Sequence, residues 1–299
     1  MMNSTPQFRC GYITIAGKPN VGKSTLLNQI LGQKIAIISE KPQTTRNRIL
    51  GVKTLPQAQL IFLDTPGIHQ PGKALNKYLV ETALKCAKEA DLIYMMIEAN
   101  NPWAEEDLLA LKHLKKLTLP IILIINKIDL LASKSELLPI IDQSRELLTF
   151  KETIPLSALE ADGIQELIRI TIPYLPESPA LFPQDILTDQ TERFLVAEIV
   201  REKIFRFTHQ EIPYATAVTI EEWEETEKLI KILGTIYVER DSQKGIIIGH
   251  KGCMLKKIGT DARKEIEQIL GIKIFLQLRV KVLENWTKNP DMVRRMGYR

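Results

Sequence analysis

An eight-residue segment near the start of the chain, GKPNVGKS at Gly17–Ser24, matches the pattern GxxxxGK[ST]. It follows an apolar run at Phe8–Ala16 that predicts a buried strand, and it leads into a helical pattern at Ser24–Leu31. Glycines in such a loop let backbone N–H groups approach phosphates, and the helix that follows directs its positive N-terminus at them. The chain is therefore predicted to contain a strand–loop–helix unit that binds phosphate groups.

Three further short segments come later, each directly after an apolar run that predicts a strand. They are DTPG at Asp64–Gly67, NKID at Asn126–Asp129 and SAL at Ser157–Leu159. Apolar strands that alternate with helices are typical of a mainly parallel sheet with helices on both faces. Ligands of such sheets bind at the carboxyl ends of the strands, where all four segments fall. Together the segments predict an α/β P-loop GTPase domain.

Hydrophobic periodicity places the other elements of this domain. Strands are predicted at Arg48–Lys53, Leu60–Leu63, Leu92–Ile97, Pro120–Ile125 and Thr153–Leu156, and helices at Lys77–Ala90, Ala104–Leu117, Lys134–Thr149 and Gly163–Ile172. Each motif then lies in a loop between a strand and the next element.

The first two motifs predict how the triphosphate and its metal ion are held. Lys23 reaches the β- and γ-phosphates, and the Ser24 hydroxyl is a ligand for Mg²⁺. Asp64 holds the same ion through water, and the Gly67 N–H senses the γ-phosphate. Alone, DTPG is also compatible with an ordinary turn. The predicted contacts on this side are Gly17, Lys18, Pro19, Asn20, Val21, Gly22, Lys23, Ser24, Thr25, Asp64, Thr65, Pro66 and Gly67.

The other two motifs predict the base. The Asp129 carboxylate can accept two hydrogen bonds from guanine, and adenine offers neither donor, so an ATP-driven enzyme is excluded. Asn126 completes the contacts on the far edge, Lys127 lays its stem along the ring, and the Ala158 N–H is the partner of guanine O6. The predicted contacts on this side are Asn126, Lys127, Asp129, Ser157, Ala158 and Leu159.

The polar stretch Gln33–Arg48 lies where a mobile loop would supply a threonine to Mg²⁺ and the γ-phosphate. Thr45 is assigned this role, with Thr44 as the alternative, and a plain surface loop is the competing interpretation. Ile68 follows DTPG, where Ras-like switches carry a water-orienting glutamine, so intrinsic hydrolysis is predicted to be slow or assisted. His69 is a candidate base, although a solvated loop histidine is the simpler interpretation. The residues predicted to act in hydrolysis are Asn20, Lys23, Thr45 and Gly67.

The chain has 299 residues, enough for two domains that each bury a core. Cys10, Cys86 and Cys253 show no paired spacing, which argues for a reducing compartment without structural disulfides or zinc. The N-terminus has no signal pattern, and the longest apolar run, Leu119–Ile125, is too short to cross a bilayer. A cytoplasmic location is expected.

Beyond the first domain, a proline-rich stretch at Ile172–Leu187 tolerates neither a helix nor a central strand and predicts a linker. The pattern after it predicts a helix at Thr191–Phe207, strands at Tyr214–Ile220, Leu229–Glu239 and Ile272–Leu283, and a basic helix that ends near Leu270. In Arg240–Arg299, Lys and Arg clearly outnumber Asp and Glu, as in an RNA-binding patch, although a solvated helix face is the simpler interpretation.

The second domain contains a GxxG loop, Gly249–Gly252, between two apolar helical segments. Most GxxG matches are simple turns. Here the preceding isoleucines and the basic helix that follows favour the phosphate-clamping loop of a KH domain. The residues predicted to bind RNA are Gly249, His250, Lys251, Gly252, Lys256 and Lys257.

With GKPNVGKS, QTTRNR, DTPG, NKID and a late GxxG on one chain, the sequence resembles the Era family of bacterial GTPases over nearly its full length. Members of that family join a Ras-like GTPase domain to a C-terminal α+β type II KH domain. The resemblance implies binding of 16S ribosomal RNA near its 3′ end, assistance to small-subunit assembly, and peripheral contact with the cytoplasmic face of the inner membrane. We expect a monomer with a GTPase domain at 1–175, a linker at 176–190, and a KH domain with a basic tail at 191–299.

Two alternatives stay open at this point. The chain resembles GTPases that use K⁺ in place of an arginine finger, which implies that the Asn20 side chain binds K⁺; a plain loop cap by Asn20 is the other interpretation. The second alternative is a GTP-dependent switch whose C-terminal domain docks on a protein or a membrane rather than on RNA.

Overall fold

The computed structural model describes residues 7–39, 41, 44–67 and 74–298, apart from the side chains of residues 74, 76 and 77. These described residues form two compact units. The first holds residues 7–36, 45–67 and 78–189, and the second holds residues 190–298 together with 37–39, 41, 44 and 74–77. Ile68, His69 and Gln43, which the sequence analysis singled out or included in a motif, lie outside the described residues.

The described part of the first unit is built on a six-stranded sheet. Its strands are β1 Arg9–Gly17, β2 Ile49–Leu55, β3 Ala58–Asp64, β4 Leu92–Glu98, β5 Ile121–Asn126 and β6 Glu152–Pro155. They lie in the order β2-β3-β1-β4-β5-β6, and β2 runs antiparallel to β3 while the other neighbours are parallel. Their carboxyl ends therefore place the four motifs at one edge of the sheet, as predicted.

Helices cover both faces of this sheet. They are α1 Lys23–Leu31, α2 Ala74–Glu89, α3 Glu105–Leu114, α4 Leu137–Leu147 and α5 Ile164–Thr171. Leu50 on β2 belongs to the same buried cluster as Cys86 of α2. The next residue, Gly51, faces the other way, where a Cβ atom would meet Leu27 and Leu31 of α1 at 2.8 and 2.7 Å. Both faces of β2 are thus buried, and the predicted α/β fold is confirmed.

The second unit has a three-stranded sheet among its described residues. Its elements are α6 Glu192–Phe207, β7 Ala217–Glu225, β8 Leu229–Val238, α7 Asp241–Ile248, α8 Cys253–Leu270, β9 Lys273–Val282 and α9 Pro290–Arg295. The strand order is β7-β8-β9, with β7 antiparallel and β9 parallel to β8. Isoleucines of β8 share one core with the fully buried Ile199 of α6 and Ile258 of α8. This arrangement confirms the predicted α+β fold.

Two parts of the second unit differ from the sequence prediction. Strand β7 begins at Ala217, three residues after the predicted start, and runs on to Glu225. The four glutamates at its end therefore lie in a strand, where Glu221 pairs with Arg279 and Lys281. The segment after β9 received no element from the sequence, yet it contains α9 and a fully buried Trp286. Its indole N–H donates to the Ala215 carbonyl at 2.9 Å, so a long-range contact rather than local periodicity orders it.

The stretch predicted as a linker is held along the first unit by backbone groups and one buried side chain. The Cys10 N–H donates to the Pro176 carbonyl at 3.1 Å. The fully buried Gln59 accepts hydrogen bonds from the N–H groups of Leu181 and Phe182, each at 2.9 Å. Beyond a short 3₁₀ helix at Ile172–Tyr174, this proline-rich segment has no helix or strand of its own, and these contacts fix its path instead. No helix within the described ranges is long and apolar enough to span a bilayer.

Candidate functional site

The loop between β1 and α1 is shaped by two glycines that no other residue could replace without strain. Gly17 and Gly22 have φ values of 152° and 105°. A Cβ atom at Gly17 would lie 2.5 Å from the Met96 carbonyl oxygen, and one at Gly22 would lie 2.3 Å from Nδ2 of Asn126. The backbone of the phosphate loop is thus packed directly against the ends of β4 and β5.

Lys23 is the first residue of α1, and its side chain reaches back over the loop. Its Nζ donates to the carbonyls of Gly17 and Lys18 at 3.2 and 2.8 Å, and the residue is 6 % exposed. Burial lowers the pKa of Lys23 to about 8, and the nearby carboxylates of Asp64, Asp107 and Glu98 oppose that shift. The ammonium of Lys23 thus lies against the phosphate-loop backbone, which is compatible with the predicted contact to the β- and γ-phosphates.

Three oxygen-bearing side chains converge beside Lys23. The Ser24 hydroxyl donates to Oδ2 of Asp64 at 2.6 Å and lies 2.8 Å from the hydroxyl of Thr45. Asp64 is fully buried, and burial raises its pKa to about 6 despite hydrogen bonds from Ser24 and Thr45. Its second oxygen, Oδ1, is buried and has no protein partner among the described residues. Hydroxyls and a carboxylate with a spare buried oxygen are donors that suit a hydrated hard divalent cation.

The structure distinguishes the two candidate threonines. The Thr44 hydroxyl donates to the carbonyl of Lys41 at 2.7 Å, whereas the Thr45 hydroxyl joins the cluster around Ser24. The DTPG backbone also runs close to the phosphate loop, because a Cβ atom at Gly67 would lie 2.6 Å from the Pro19 nitrogen. The predicted phosphate-side residues are therefore neighbours in the structure.

Asn126 joins three loops on the base side. Its Nδ2 donates to the Val21 carbonyl at 2.7 Å, and its Oδ1 accepts from the Ala158 N–H at 2.9 Å. The Asp129 carboxylate accepts a hydrogen bond from the Ser157 hydroxyl. Bracing of the phosphate loop by Asn126 is a role that the sequence analysis missed, because strand patterns do not reveal which side chain crosses between loops.

The side chains of two predicted nucleotide-binding residues, Lys18 and Leu159, do not point into the proposed site. The Lys18 side chain turns away from the loop, and its ammonium lies 3.2 Å from both Oε2 of Glu98 and Oδ2 of Asp107. Leu159 is 69 % exposed, so its side chain lies at the rim. Glu98 and Asp107 lie outside the four motifs, so the sequence analysis did not identify them as partners of Lys18.

The GxxG loop of the second unit joins α7 to α8. Gly249, Lys251 and Gly252 all have positive φ values, of 73°, 48° and 78°. A Cβ atom at Gly249 would lie 2.9 Å from the Met254 nitrogen, so the loop packs closely on the start of α8. The side chains of His250 and Lys251 remain exposed. A tight, exposed backbone with free basic side chains suits contact with a phosphodiester chain.

A groove of about 430 Å³ opens beside this loop. It is lined by Gly252, Leu255, Lys256, Gly259, Thr260, Arg263, Leu276, Gln277 and Leu278. Of the predicted RNA-binding lysines, Lys256 lines it, whereas the Lys257 ammonium lies 4.2 Å from the centre of the Phe207 ring. Helix α8 and strand β9 form the two walls, and their polar residues were not predicted because β9 is distant in sequence.

Comparison with curated proteins decides the family. The chain is 51 % identical over 293 residues to GTPase Era of Geotalea uraniireducens, covering 98 % of each chain, and 50 % identical over 299 residues to GTPase Era of Geobacter metallireducens. The latter match covers 99 % of this chain and all of the relative. The chain belongs to the Era family of GTPases. The resemblance inferred from the motifs is thereby confirmed.

Family models and solved structures agree with membership of the Era family. A model described as 50S ribosome-binding GTPase matches residues 12–127, and a KH domain model matches residues 211–287. Two solved Era structures each superpose with a TM-score of 0.95 at 45 % identity, covering 97 % of this chain and 99 % of theirs. One is an Aquifex aeolicus Era variant bound to GDP.AlF4-, and the other is Era in complex with MgGDPNP and nucleotides 1506–1542 of 16S ribosomal RNA. The protein is therefore an Era-family GTPase.

Proposed function

We propose that this GTPase is a GTP-dependent switch that binds 16S ribosomal RNA near its 3′ end and assists assembly of the small ribosomal subunit. The observation that carries the proposal is the GxxG loop at Gly249–Gly252, which opens onto a groove with Lys256 and Arg263 on its wall. Glycine backbone and basic side chains beside an apolar groove are the features that clamp a single RNA strand. The solved Era complex with 16S ribosomal RNA, which is 45 % identical to this chain, supports the same partner.

In the proposed nucleotide site, Lys23 binds the β- and γ-phosphates, and the Gly67 N–H donates to the γ-phosphate. Ser24 and Thr45 ligate Mg²⁺ directly, and Asp64 holds it through water. The donor set around Asp64, with its spare buried oxygen, supports this assignment, as does the MgGDPNP in the related Era structure. When bound, Mg²⁺ neutralises charge on the β- and γ-phosphates as the terminal phosphoryl group departs.

Base selection is assigned to Asp129, Asn126, Lys127 and the Ser157–Leu159 loop. Ser157 orients the Asp129 carboxylate through its hydroxyl, and Asn126 ties the base loop to the phosphate loop. A carboxylate that faces the N1–H and N2–H₂ donors of guanine leaves adenine without a partner. We keep the nucleotide-binding residues predicted from the sequence as the proposed set, with Lys18 contributing through its backbone because its side chain pairs with Glu98 and Asp107.

The remaining proposals rest on the sequence patterns and on the family resemblance. They are a GTPase domain at 1–175, a linker at 176–190, a KH domain with a basic tail at 191–299, a monomeric state, a cytoplasmic location and peripheral contact with the inner membrane. The alternative partner for the C-terminal domain is a protein or a membrane.

RNA binding at the proposed site predicts a strong dependence on salt. We expect a fluorescently labelled RNA of 16S nucleotides 1506–1542 to bind the full chain with a Kd that rises about 20-fold between ~50 and ~200 mM salt, as for roughly three phosphate contacts on a single strand. Fluorescence anisotropy measures this, with an equal-length RNA from another region as the control. Absence of binding to either RNA, together with binding to anionic lipid vesicles, contradicts the proposal and favours the membrane alternative.

K⁺ is the proposed activator of hydrolysis. Asn20 lies exposed in the phosphate loop at a φ of 63°, and its side-chain carbonyl is a suitable monovalent-cation ligand beside the phosphates. A cation there offsets charge that develops between the β- and γ-phosphates, so we expect single-turnover hydrolysis at least ~10-fold faster in KCl than in NaCl.

Single-turnover hydrolysis at matched ionic strength measures this effect in the parent and in Asn20→Gly. Glycine adopts positive φ without cost, so the variant removes the side chain and keeps the loop backbone. The variant should hydrolyse GTP equally slowly in both salts. Equal rates in the two salts for the parent would exclude K⁺ activation.

A further inference from the structure

A buried cluster of charges lies behind the phosphate loop. The Lys18 ammonium donates to the Asn101 carbonyl at 3.0 Å and lies 3.2 Å from each of two carboxylates, those of Glu98 and Asp107. The side chains of Lys18 and Asp107 are 8 % and 0 % exposed. Because Lys18 is the second residue of the phosphate-loop motif, this cluster ties the start of the loop to β4 and α3.

Glu98 extends the cluster to the base side. Its Oε2 faces Lys18, and its Oε1 accepts a hydrogen bond from the ammonium of Lys127. Glu98 is the last residue of β4 and lies in register with Asn126 at the end of β5. A single carboxylate therefore contacts one lysine from the phosphate loop and one from the base loop.

The two lysines need a partner in this position. Lys127 has a φ of 65°, a left-handed conformation that is unfavourable for a residue with a side chain. Lys18 is buried, and a buried ammonium without a carboxylate is strongly unfavourable. Loss of the Glu98 charge would leave Lys18 with Asp107 as its remaining carboxylate and would remove the carboxylate that Lys127 contacts, so the tie between the two loops would be lost.

We propose that Glu98 is a positioning residue for guanine nucleotides, which acts through Lys127 and Lys18 to hold the base loop and the phosphate loop at the separation that a bound nucleotide requires. Asp107 supports it by holding Lys18 and by accepting the Ala104 N–H at 3.1 Å. The inference rests on the proposed assignment of these two loops to the base and the phosphates.

The first test is Glu98→Gln in the full chain. Because a hydrogen bond to a charged group contributes enough to change an equilibrium constant ten- to a hundredfold, we expect the Kd of fluorescently labelled GDP to rise by about 10- to 100-fold. The KM for GTP should rise similarly, while kcat at saturating GTP stays within about threefold, because bound nucleotide restores the loop geometry. Glu106→Gln, the same change at an exposed position on α3, is the matched control and should leave both constants unchanged.

A double-variant cycle tests whether Glu98 acts through Lys127. Lys127→Met removes the ammonium and keeps an apolar stem of similar length. If the two residues act as a unit, Glu98→Gln with Lys127→Met weakens GDP binding no more than the larger single change does. The proposal would be overturned if the double variant raised the GDP Kd by the product of the two single-variant effects. An unchanged GDP Kd in Glu98→Gln would also overturn it. A loss confined to the thermal unfolding midpoint, with normal Kd and KM, would also overturn it, because that result describes a purely structural residue.

Failure of the Glu98 proposal can be distinguished from failure of the proposed nucleotide site by the Asp129→Asn variant. If Asp129→Asn retains its preference for guanine, the base-loop assignment itself fails, whatever Glu98 does. If Asp129→Asn loses that preference while Glu98→Gln binds GDP normally, the nucleotide site stands and only the positioning role of Glu98 is lost.

Discussion

Asp129→Asn is expected to weaken GTP binding by at least ~10²-fold, because one carboxylate accepts two hydrogen bonds from guanine and a charged pair of this kind contributes about 3 kcal/mol. The asparagine amide offers a donor where the carboxylate accepted. Xanthine presents a carbonyl at position 2 in place of the guanine amino group, so the variant should bind xanthosine triphosphate more tightly than GTP. The affinities of the variant for GTP and for xanthosine triphosphate are measured by competition, in which each displaces fluorescently labelled GDP or xanthosine diphosphate.

The structure adds a second reason to expect a large effect. The Ser157 hydroxyl donates to the Asp129 carboxylate, so the carboxylate is held in one orientation before the base arrives. Asp142→Asn provides a matched control, because Asp142 is an exposed carboxylate on α4 that pairs with Arg145 of the same helix at 3.0 Å. The control should bind GTP as the parent does. GTP affinity that survives in Asp129→Asn would remove this residue from the base pocket.

Most of the fold was predictable because its signals are local. The strands of the first unit are almost wholly apolar, so each is recognisable from a short window, and β1, β4 and β5 lie within one or two residues of the predicted bounds. The motifs sit where those strands end, which fixes their common edge without any knowledge of side-chain contacts. Topology and residue type alone were therefore enough to predict the proposed nucleotide site.

The unpredicted features depend on long-range contacts. Glu98 and Asp107 are ordinary acidic residues in sequence, and only the packing of β4 and α3 against the phosphate loop brings them to Lys18. Trp286 is buried because its indole reaches Ala215, far away along the chain. Hydrophobic periodicity reports the face of a helix or strand and gives no information on such pairs.

The groove beside the GxxG loop illustrates both cases. The GxxG loop is a local signal, and it lies within the part of the chain that matches a KH domain model. Strand β9 was predicted as an element, but its alignment beside β8, which brings Gln277 to the groove opposite Thr260 of α8, follows from sheet order. The chemistry of the groove wall therefore became visible only in the folded chain.

Replacing His250 and Lys251 together by aspartate is expected to weaken RNA binding by at least ~10²-fold, because two acidic side chains at a phosphate clamp repel the strand that it must hold. The loop backbone should tolerate the change. Lys251 has a φ of 48°, and aspartate is among the residues that adopt this left-handed conformation most readily. Both side chains are exposed, so neither leaves a hole in the core.

A charge-matched control separates loss of the clamp from loss of net positive charge. His209→Asp with Lys228→Asp makes the same change in charge at exposed positions outside the residues that line the groove. Anisotropy with the 1506–1542 RNA should show near-parental affinity for this control and at least ~10²-fold weaker binding for the loop variant, since local phosphate contacts outweigh a distant charge at physiological salt. GTP hydrolysis without RNA should be unchanged in both, because both pairs belong to the second unit, whereas the proposed nucleotide-site residues belong to the first. Equal RNA affinity in the loop variant and the control would assign RNA binding to another surface and would leave the GTPase site intact.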